Sequence, residues 1–467
     1  MCAQKTVEVK IQKLSKKGLG LGVCEEFAKP IELRQAYPGE HLVCQVTKKK
    51  QGVHQGVALE ILNAHPSRVQ PRCEHASVCG GCTYQTLDYQ EQLFLKEKTL
   101  ISLFEPFLAH AQVYPILGME DPWRFRNKME WTFYQAKEGL GSVGLIEAGS
   151  KGRVFDVKEC HLCPSWMSKV LDAVRTWWHN HPHVQAYHRL KKTGTLHLLT
   201  MREGVNTQQK MVVLTVCGEP TSSFSHGELE SFKQAILDSA GQTVSLFLQI
   251  KHIQEGMATY CNEMVLHGKD HILEKLHVKT RKGARQEYTF KISPSSFFQP
   301  NTKQAQALFS AALSLVKAQE NMRILDLYAG TGTLGIIFSS LAKEVISIEL
   351  NPYATFDAQV NAELCGLTNL TILQGDVHKV IAERPIQGNI DLVILDPPRS
   401  GLGAKVVSQV LDIAPWQILY ISCNPYTQAE DIKLFAEKGY QIQAMQAVDQ
   451  FGHGPHLENI LVLEKSS

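Results

Sequence analysis

The tetrapeptide Ser422-Cys423-Asn424-Pro425 is the clearest candidate for chemistry in this sequence. It follows an apolar run at 416–421 that is typical of a buried strand, and the proline then ends the strand pattern and holds the cysteine in a turn. A cysteine at the carboxyl end of a strand in an α/β sheet is well placed to be a nucleophile. A single cysteine is more often a small core residue, so its neighbours must decide.

A second rigid turn, Asp396-Pro397-Pro398-Arg399, follows a predicted strand at 391–395. The two prolines fix this turn at the same edge of the sheet as Cys423. Asp-Pro-Pro at this place resembles the base amino-methyltransferases, in which an aromatic residue follows and stacks on the target base. Because Arg399 follows here instead of an aromatic residue, the match is imperfect. Methylation of an amino group on adenine or cytosine is therefore kept as the alternative interpretation.

The segment 323–335 is typical of a nucleotide-binding turn, because a strand runs into a complete G-x-G-x-x-G pattern, Gly330 to Gly335. Glu349 ends the next strand and is placed to bind ribose hydroxyls, which NAD and S-adenosylmethionine share. Asp326, inside the first strand, suits the ammonium group of a methionine tail better than a pyrophosphate. Asp376 follows a third strand, where it can accept a hydrogen bond from an adenine amino group. These two acids favour S-adenosylmethionine over NAD.

A thiolate and a base on one face of a uracil ring would complete a reaction at C5. Addition of the thiolate to C6 makes C5 nucleophilic towards a methyl sulfonium, and a base must then remove the C5 proton before the thiolate leaves. The candidates for that base are Glu458, which precedes the last predicted strand, and the nearby His453 and His456.

Closely spaced cysteines, Cys73, Cys79 and Cys82, with the distant Cys160, offer four thiolates for a metal. Four cysteines bind zinc or an iron–sulfur cluster, and the spacing does not choose between them. Cys163 lies three residues after Cys160 and adds a zinc-like C-x2-C option.

The chain of 467 residues predicts three domains. Short strands and glycine turns at 1–62 predict a small β-barrel that resembles OB-type barrels. The segment 63–285 is expected to form a central α+β domain that holds the cysteine cluster. Alternating strands and helices at 286–467 predict a Rossmann-like α/β domain.

The net charge of +2 excludes a polycationic protein, so any nucleic-acid contact must be local. Basic candidates are Lys48 to Lys50, Lys191-Lys192 and Arg281-Lys282, for each of which a solvated face is the simpler interpretation. The first residues lack the apolar segment of a signal peptide, and no apolar run is long enough for a membrane span. Twelve cysteines in so long a chain do not indicate a disulfide scaffold. We expect a monomeric cytoplasmic protein.

Taken together, these segments resemble the uracil-5 RNA methyltransferases, which have a class I methyltransferase domain, and in particular their ribosomal-RNA branch. The resemblance covers nearly the whole chain. The matching segments are 293–302, 325–333, 396–402, 422–425 and 451–458. The resemblance implies that Cys423 is the nucleophile and Glu458 the base. The contacts that it implies for S-adenosylmethionine come from Gln299, Tyr328, Thr333, Glu349, Asp376 and Asp396.

The same resemblance implies a [4Fe–4S] cluster on Cys73, Cys79, Cys82 and Cys160, with Cys163 as an extra cysteine. It also implies that the barrel at 1–62 is a TRAM domain, with Tyr37-Pro38-Gly39-Glu40 in its characteristic turn, and that Arg126 and Lys128 contact RNA. The sequence departs from the family at Ala329, where cysteine is frequent, and at Thr333, where asparagine is common. It departs again at Gly452 and Gly454, which replace the usual proline and threonine.

The sequence therefore predicts an enzyme that makes 5-methyluridine in RNA, on a uridine turned out of its stack. The cluster and the barrel favour 23S ribosomal RNA over tRNA by analogy alone. An RNA-binding iron–sulfur protein with a silent methyltransferase domain is a third hypothesis.

Overall fold

A computed structural model describes residues 5–50, 52–136, 141–217, 225–253, 260–317, 319, 321–383, 386 and 388–465, except for the side chains of Lys48 to Lys50. Contacts divide the chain into two compact units. The first holds Met1–Lys98 with Glu147–Ser150 and Phe451–His456, and the second holds Thr99–Ile146, Lys151–Gln450 and Leu457–Ser467. The division into domains at 62 and 285 stays a prediction.

The first unit begins with a closed five-stranded barrel in the order β1-β2-β3-β5-β4. Its strands are β1 (Lys5–Leu14), β2 (Gly20–Cys24), β3 (Phe27–Leu33), β4 (His41–Lys50) and β5 (Val53–Asn63). Alternate residues Val7, Val9 and Ile11 of β1 point into the barrel and are buried. Gly22 on the paired strand has to be glycine, because a Cβ there would lie 2.1 Å from Val9 Cγ1. The predicted N-terminal barrel is confirmed.

A seven-stranded sheet in the second unit has the order β13-β12-β11-β10-β7-β8-β9. The strands are β7 (Lys128–Tyr134), β8 (Ser142–Ile146), β9 (Val154–Asp156), β10 (Leu196–Glu203), β11 (Lys210–Cys217), β12 (Ser245–His252) and β13 (Tyr260–His267). Helices α2 (Ser165–His179) and α3 (His226–Ala240) bury their apolar faces in one core with this sheet. A capping box begins α3, in which the Ser225 side chain accepts from the Glu228 N–H and the Glu228 carboxylate accepts from the Ser225 N–H.

An eight-stranded sheet in the same unit has the order β18-β17-β16-β19-β20-β22-β21-β6. Its strands are β6 (Gln112–Leu117), β16 (Met322–Leu327), β17 (Ala342–Glu349), β18 (Leu370–Gln374), β19 (Leu392–Leu395), β20 (Gln417–Ser422), β21 (Tyr440–Val448) and β22 (Glu458–Lys465). Strand β22 runs antiparallel to both of its neighbours, and the other pairings in the sheet are parallel.

Helices cover both faces of this sheet, as expected when strand and helix alternate. They are α1 (Tyr89–Phe104), α4 (Thr302–Leu315), α5 (Thr333–Phe338), α6 (Pro352–Leu364), α7 (Val377–Glu383), α8 (Gly403–Ile413) and α9 (Pro425–Ala436). One apolar core joins alternate strand residues such as Ile421 and Ile460 to α4 and to the antiparallel pair β14 (Ile272–Lys279) and β15 (Arg285–Ile292). The other core joins the intervening strand residues to α8 and α9.

The predicted Rossmann-like α/β architecture of the C-terminal part is confirmed by this topology. The strands predicted before the glycine turn, before Asp396 and before Cys423 are β16, β19 and β20, and all three end at one edge of the sheet. Across the described ranges, no helix is both long and apolar enough to span a membrane.

Candidate active site

The register of β20 and β22 brings Cys423 and Glu458 together at one edge of the large sheet. Ser422, the last residue of β20, pairs with Asn459 in antiparallel register. Cys423 directly follows Ser422 at the end of β20, and Glu458 directly precedes Asn459 at the start of β22. Cross-strand neighbours in such a pair have Cβ atoms roughly 4.5–5.5 Å apart.

Side-chain alternation puts the two groups on the same face of the sheet. Residues Ile421 and Ile460 both belong to the core on the α4 face. Their strand neighbours Tyr420 and Leu461 belong to the core on the other face. Since side chains alternate with a period of two, Cys423 and Glu458 share the face of Ile421 and Ile460. This register places the candidate nucleophile and the candidate base at the same edge of the sheet.

Burial and charge set the ionisation of this pair. Burial raises the pKa of Cys423 to about 11, with a further increase from the charge of Glu458. Arg399 acts in the opposite direction, because its guanidinium hydrogen-bonds the cysteine side chain and favours the thiolate. Glu458 is only 4% exposed, and burial raises its pKa well above the usual range for a carboxyl group.

The turn after β19 positions Arg399 and Asp396 beside the pair. The carbonyl oxygen of Arg399 accepts hydrogen bonds from Asn424 Nδ2 at 2.7 Å and Thr427 Oγ1 at 3.3 Å, which ties this turn to the start of α9. Burial raises the pKa of Asp396 to about 7, and the charge of Asp396 raises the pKa of both Cys423 and Glu458. Negative charge on Asp396 therefore disfavours ionisation of Cys423 and Glu458, whereas the guanidinium of Arg399 favours it.

The glycine turn after β16 has the backbone of a ligand-binding loop. Tyr328, Gly330 and Gly332 adopt φ values of 64°, 57° and 80°, in the left-handed region. A Cβ at Gly330 would meet no atom within 4 Å, so the open side of this turn leaves space for a ligand to approach the backbone. The Gly330 N–H donates to Glu349 Oε2 at 2.8 Å, which joins the turn to the end of β17.

Asp326 supplies a buried carboxylate oxygen beneath this turn. Its Oδ2 accepts from the Gly335 N–H at 3.1 Å and from Ser347 Oγ at 2.9 Å. Its Oδ1 is buried and has no hydrogen-bond partner among the described residues. Burial raises the pKa of Asp326 to about 7, with contributions from Asp396 and Glu349. A cationic ligand would relieve this cost, so the turn fits S-adenosylmethionine.

The other predicted cofactor contacts lie around the same edge, and their roles stay predictions. Glu349 accepts from two backbone N–H groups, those of Gly330 and Asn351, through different oxygens. Tyr328 is half-buried, and burial together with the charge of Asp376 raises its pKa to about 12. Asp376 is exposed and accepts from the Lys379 N–H at 3.1 Å in the first turn of α7. Thr333 Oγ1 lies 3.3 Å from Thr331 Oγ1.

Two positioning residues near Gln299 were missed by the sequence analysis. Asn127 Nδ2 donates to the Gln299 carbonyl at 2.9 Å, and the Asn127 N–H donates to the Pro300 carbonyl at 2.9 Å. Buried Asp357 on α6 accepts from Ser293 Oγ at 2.8 Å and from Ser296 Oγ. Asn127 lies between the two predicted RNA contacts, whereas nothing in the local sequence marks Asp357, because its partners are more than 60 residues away.

The remaining candidates have structural partners or are exposed. Lys128 forms an ion pair with Glu130 at 2.6 Å. His453, in the first unit, is buried. Its backbone N–H donates to Gln92 Oε1 at 3.0 Å. Exposed basic pairs stand at 191–192 and 281–282, and the side chains of Lys48 to Lys50 lie outside the described residues.

The predicted metal ligands belong to both units: Cys73, Cys79 and Cys82 to the first and Cys160 to the second. The Gly81 N–H donates to Cys79 Sγ at 3.4 Å, and Arg34 donates to the Cys79 carbonyl. Within the described ranges, no group of three or more His, Cys, Asp or Glu side chains is arranged to hold a metal ion. The cluster stays a prediction, and no reaction step is assigned to it.

Comparison with known proteins identifies the family of this chain. The profile of the tRNA (uracil-5-)-methyltransferase family matches residues 226–466. An uncharacterized RNA methyltransferase of Protochlamydia amoebophila is 40% identical over 93% of this chain and 99% of its own length. The chain belongs to the tRNA (uracil-5-)-methyltransferase family.

Other members of the family resemble the chain over its full length. An uncharacterized RNA methyltransferase of Caldanaerobacter subterraneus is 33% identical, with all of both chains covered. The crystal structure of Pyrococcus abyssi tRNA (uracil-54, C5)-methyltransferase with S-adenosyl-L-homocysteine superposes with a TM-score of 0.72, at 24% identity, over 98% of this chain and 100% of that one. The chain itself is therefore an S-adenosylmethionine-dependent RNA methyltransferase.

Proposed function

We propose that the enzyme transfers a methyl group from S-adenosylmethionine to C5 of a uridine in RNA, with Cys423 as nucleophile and Glu458 as base. The observation that carries this proposal is the facing position of the two residues on one side of the sheet. Both stand at the edge where the turn of Asp326 and Gly330 can hold the methyl donor. A uridine placed between them would have the thiolate, the base and the methyl group within reach of one ring.

The chemistry divides between the two side chains. When bound, S-adenosylmethionine supplies a methyl group attached to a cationic sulfur. The Cys423 thiolate forms a bond to C6 of uracil, and the C5–C6 electron pair becomes available at C5 for bond formation with the methyl carbon. Glu458 then accepts the proton from C5, and that electron pair re-forms the C5–C6 double bond as the bond from Cys423 to C6 breaks. The methyl–sulfur bond breaks as the bond to C5 forms, and its electron pair stays on the sulfur, which becomes uncharged. The products are 5-methyluridine, S-adenosylhomocysteine, the thiolate and one proton held on Glu458.

Charge around Arg399 orders these steps. When Glu458 is ionised, its charge opposes ionisation of Cys423, so the thiol must lose its proton against a raised pKa. Arg399 is the group that favours the thiolate. Addition to C6 converts the thiolate into an uncharged thioether, which leaves the stabilising charge of Arg399 to Glu458. The carboxylate is therefore favoured at the stage when it has to accept the C5 proton.

The proposed cofactor contacts are anionic or polar side chains on neighbouring strand ends. Asp326 and Asp396 would face the positive charges of the methionine moiety, and Glu349 and Asp376 would face the ribose and adenine. Gln299, Tyr328 and Thr333 complete the proposed set. The support is the buried unpartnered oxygen of Asp326 and the open turn at Gly330.

We propose 23S ribosomal RNA as the substrate, because the spacing of Cys73, Cys79 and Cys82 resembles the ribosomal-RNA branch and an N-terminal barrel can bind single-stranded RNA. Transfer RNA is the second candidate, because the family and its Pyrococcus abyssi relative are named for it. The test maps 5-methyluridine in both RNAs from cells with and without the gene, and from cells carrying only Cys423→Ala. Loss at one 23S position in both altered strains is expected, and loss in tRNA alone would assign the second substrate.

The amino-methyltransferase alternative has a different expected result. A reaction at an exocyclic amino group needs neither Cys423 nor Glu458. Near-normal turnover by Cys423→Ala would therefore contradict the proposal and support that alternative. A Cys423→Ala protein that binds S-adenosylmethionine normally but transfers no methyl group would support methylation at C5.

We also propose a [4Fe–4S] cluster on Cys73, Cys79, Cys82 and Cys160. The support is the sequence spacing and a nearby cation: the charges of Cys79 and Cys82 both affect the pKa of Arg34, which burial lowers. Methyl transfer needs no redox step, so the proposed role of the cluster is structural or in RNA contact. Iron and sulfide content of the purified protein tests this proposal.

A further inference from the structure

The side chain of Gln450 is buried at the catalytic edge without a hydrogen-bond partner. It is 0% exposed, and within the described part of the chain neither Nε2 nor Oε1 has a partner. The buried amide of Asn459, by contrast, leaves only Oδ1 unpartnered among the described residues, since its Nδ2 donates to Gln428. Burying amide atoms without hydrogen-bond partners destabilises the folded protein, so this arrangement needs a reason.

The backbone fixes where Gln450 lies. Val448, the last residue of β21, pairs with Glu458, and Gln450 follows two residues later at the same edge of the sheet. Its carbonyl oxygen accepts from Asn301 Nδ2 at 3.4 Å, and Asn301 stands two residues after Gln299. Gln450 is therefore held between the proposed base and the loop proposed to contact the cofactor.

The neighbouring residue makes this placement rigid. The carbonyl of Asp449 accepts from Gln304 Nε2 at 3.0 Å, and its N–H donates to the Leu117 carbonyl at 2.9 Å. Both Asp449 and Gln450 are fully buried. A fixed backbone with an unsatisfied amide is the arrangement expected of a group that waits for a polar ligand.

We infer that the amide of Gln450 binds the imide edge of the target uracil, an inference that rests on the proposed function. Uracil presents an N3–H donor flanked by the O2 and O4 acceptors. A glutamine side chain presents a carbonyl acceptor and an NH2 donor on one planar group, and it can pair with N3–H and one of the uracil oxygens at once. The flipped base thus satisfies both atoms that the free enzyme leaves unpartnered.

The first test is Gln450→Leu, which keeps the volume and removes the polar atoms. The kcat/KM for an unmodified 23S transcript, or for a tRNA transcript if the mapping places the modification there, should fall by about 10–100-fold. The affinity for S-adenosylmethionine should not change, and the melting temperature should stay level or rise because an unsatisfied buried amide is gone. Methylation within about twofold of the wild type would overturn the inference.

A matched control is Gln417→Leu at the opposite end of β20. Gln417 is equally buried, but its Nε2 donates to Glu464 at 2.8 Å and its Oε1 accepts from the Lys317 N–H at 3.1 Å. Its loss should lower the melting temperature and leave the activity of the folded protein unchanged. If Gln450→Leu shows this control pattern instead, Gln450 is structural and the inference is wrong.

Gln450→Glu gives a readout that a structural role would not produce. A protonated carboxyl group offers an acceptor and a donor as the amide does, whereas a carboxylate offers acceptors only and repels a uracil oxygen. The ratio of variant to wild-type activity should therefore rise as the pH falls, and a flat or falling ratio would overturn the inference. Failure of the proposed function is distinguishable, since it would show as activity in Cys423→Ala.

Discussion

Cys423 directly follows β20 and Glu458 begins β22 at one edge of the sheet, because Ser422 and Asn459 are paired in antiparallel register. They share the face of Ile421 and Ile460, and the charge of Glu458 raises the pKa of Cys423. The two groups are therefore coupled electrostatically before any RNA binds.

Glu458→Gln should trap RNA on the enzyme. Attack by Cys423 and methyl transfer both precede proton removal, and glutamine keeps the shape of glutamate but cannot accept the proton at neutral pH. Turnover should fall by about 10²–10⁴-fold, and a methylated protein–RNA adduct should survive denaturing electrophoresis.

The control is the double variant Cys423→Ala, Glu458→Gln, which should form no adduct. Free turnover by Glu458→Gln without an adduct would mean that Glu458 is not the base. His453 or His456 would then be the candidate, and the glycines at 452 and 454 would be the reason that the loop allows it.

Alkylation of Cys423 by iodoacetamide should rise steeply with pH. A thiol with a pKa of about 11 is mostly protonated at pH 8, so the rate should increase about tenfold per pH unit between pH 8 and 10. Glu458→Gln should speed the reaction at each pH because it removes a negative charge, and Arg399→Met should slow it. Peptide mass spectrometry would follow Cys423 alone, and equal rates in all three proteins would show that the two groups do not act on the thiol.

The stability of the free enzyme should fall as the pH rises from about 4 to 7. Burial raises the pKa of Asp326 and Asp396 from 3.8 to about 7 in each case, so the folded state binds more protons than the unfolded state within that window. The free energy of unfolding therefore decreases with pH there. Urea unfolding at several pH values measures this slope, and Asp326→Asn should make it shallower.

Binding of S-adenosylmethionine should show the opposite trend. Its positive charges favour the ionised forms of Asp326 and Asp396, so its Kd should decrease by up to about tenfold per pH unit as the pH approaches 7. Asp326→Asn should weaken binding and flatten this dependence. Calorimetry with the wild type and the variant checks the result, and a Kd independent of pH in both proteins would contradict it.

Protein purified without oxygen should contain about four irons and matching sulfide if the proposed cysteines hold a cluster. Cys160→Ser should lose iron, whereas Cys163→Ser should retain it, and Cys365→Ser is a control outside the proposed set. One zinc with no sulfide would overturn the assignment. Iron lost from Cys163→Ser rather than from Cys160→Ser would make Cys163 the fourth ligand.

Local sequence was sufficient for the strands and turns that carry the candidate reactive groups. Apolar runs that end in glycine or proline define β16, β19 and β20, because such residues must leave the sheet at its edge. The barrel and the methyltransferase domain could be predicted for the same reason, since alternation of apolar residues with a period of two or of strands with helices is written along the chain.

Only the tertiary structure decided which of these groups act on one another. Glu458 faces Cys423 because β22 is inserted antiparallel beside β20, a pairing between residues more than 35 positions apart. Arg399 stands where base amino-methyltransferases have an aromatic residue after Asp-Pro-Pro, so in the sequence it indicated only an imperfect match. In the structure its positive charge favours the thiolate of Cys423. The buried amide of Gln450 has no local signal, because burial and the lack of a partner depend on every element that packs around a residue, and the sequence states none of those distances.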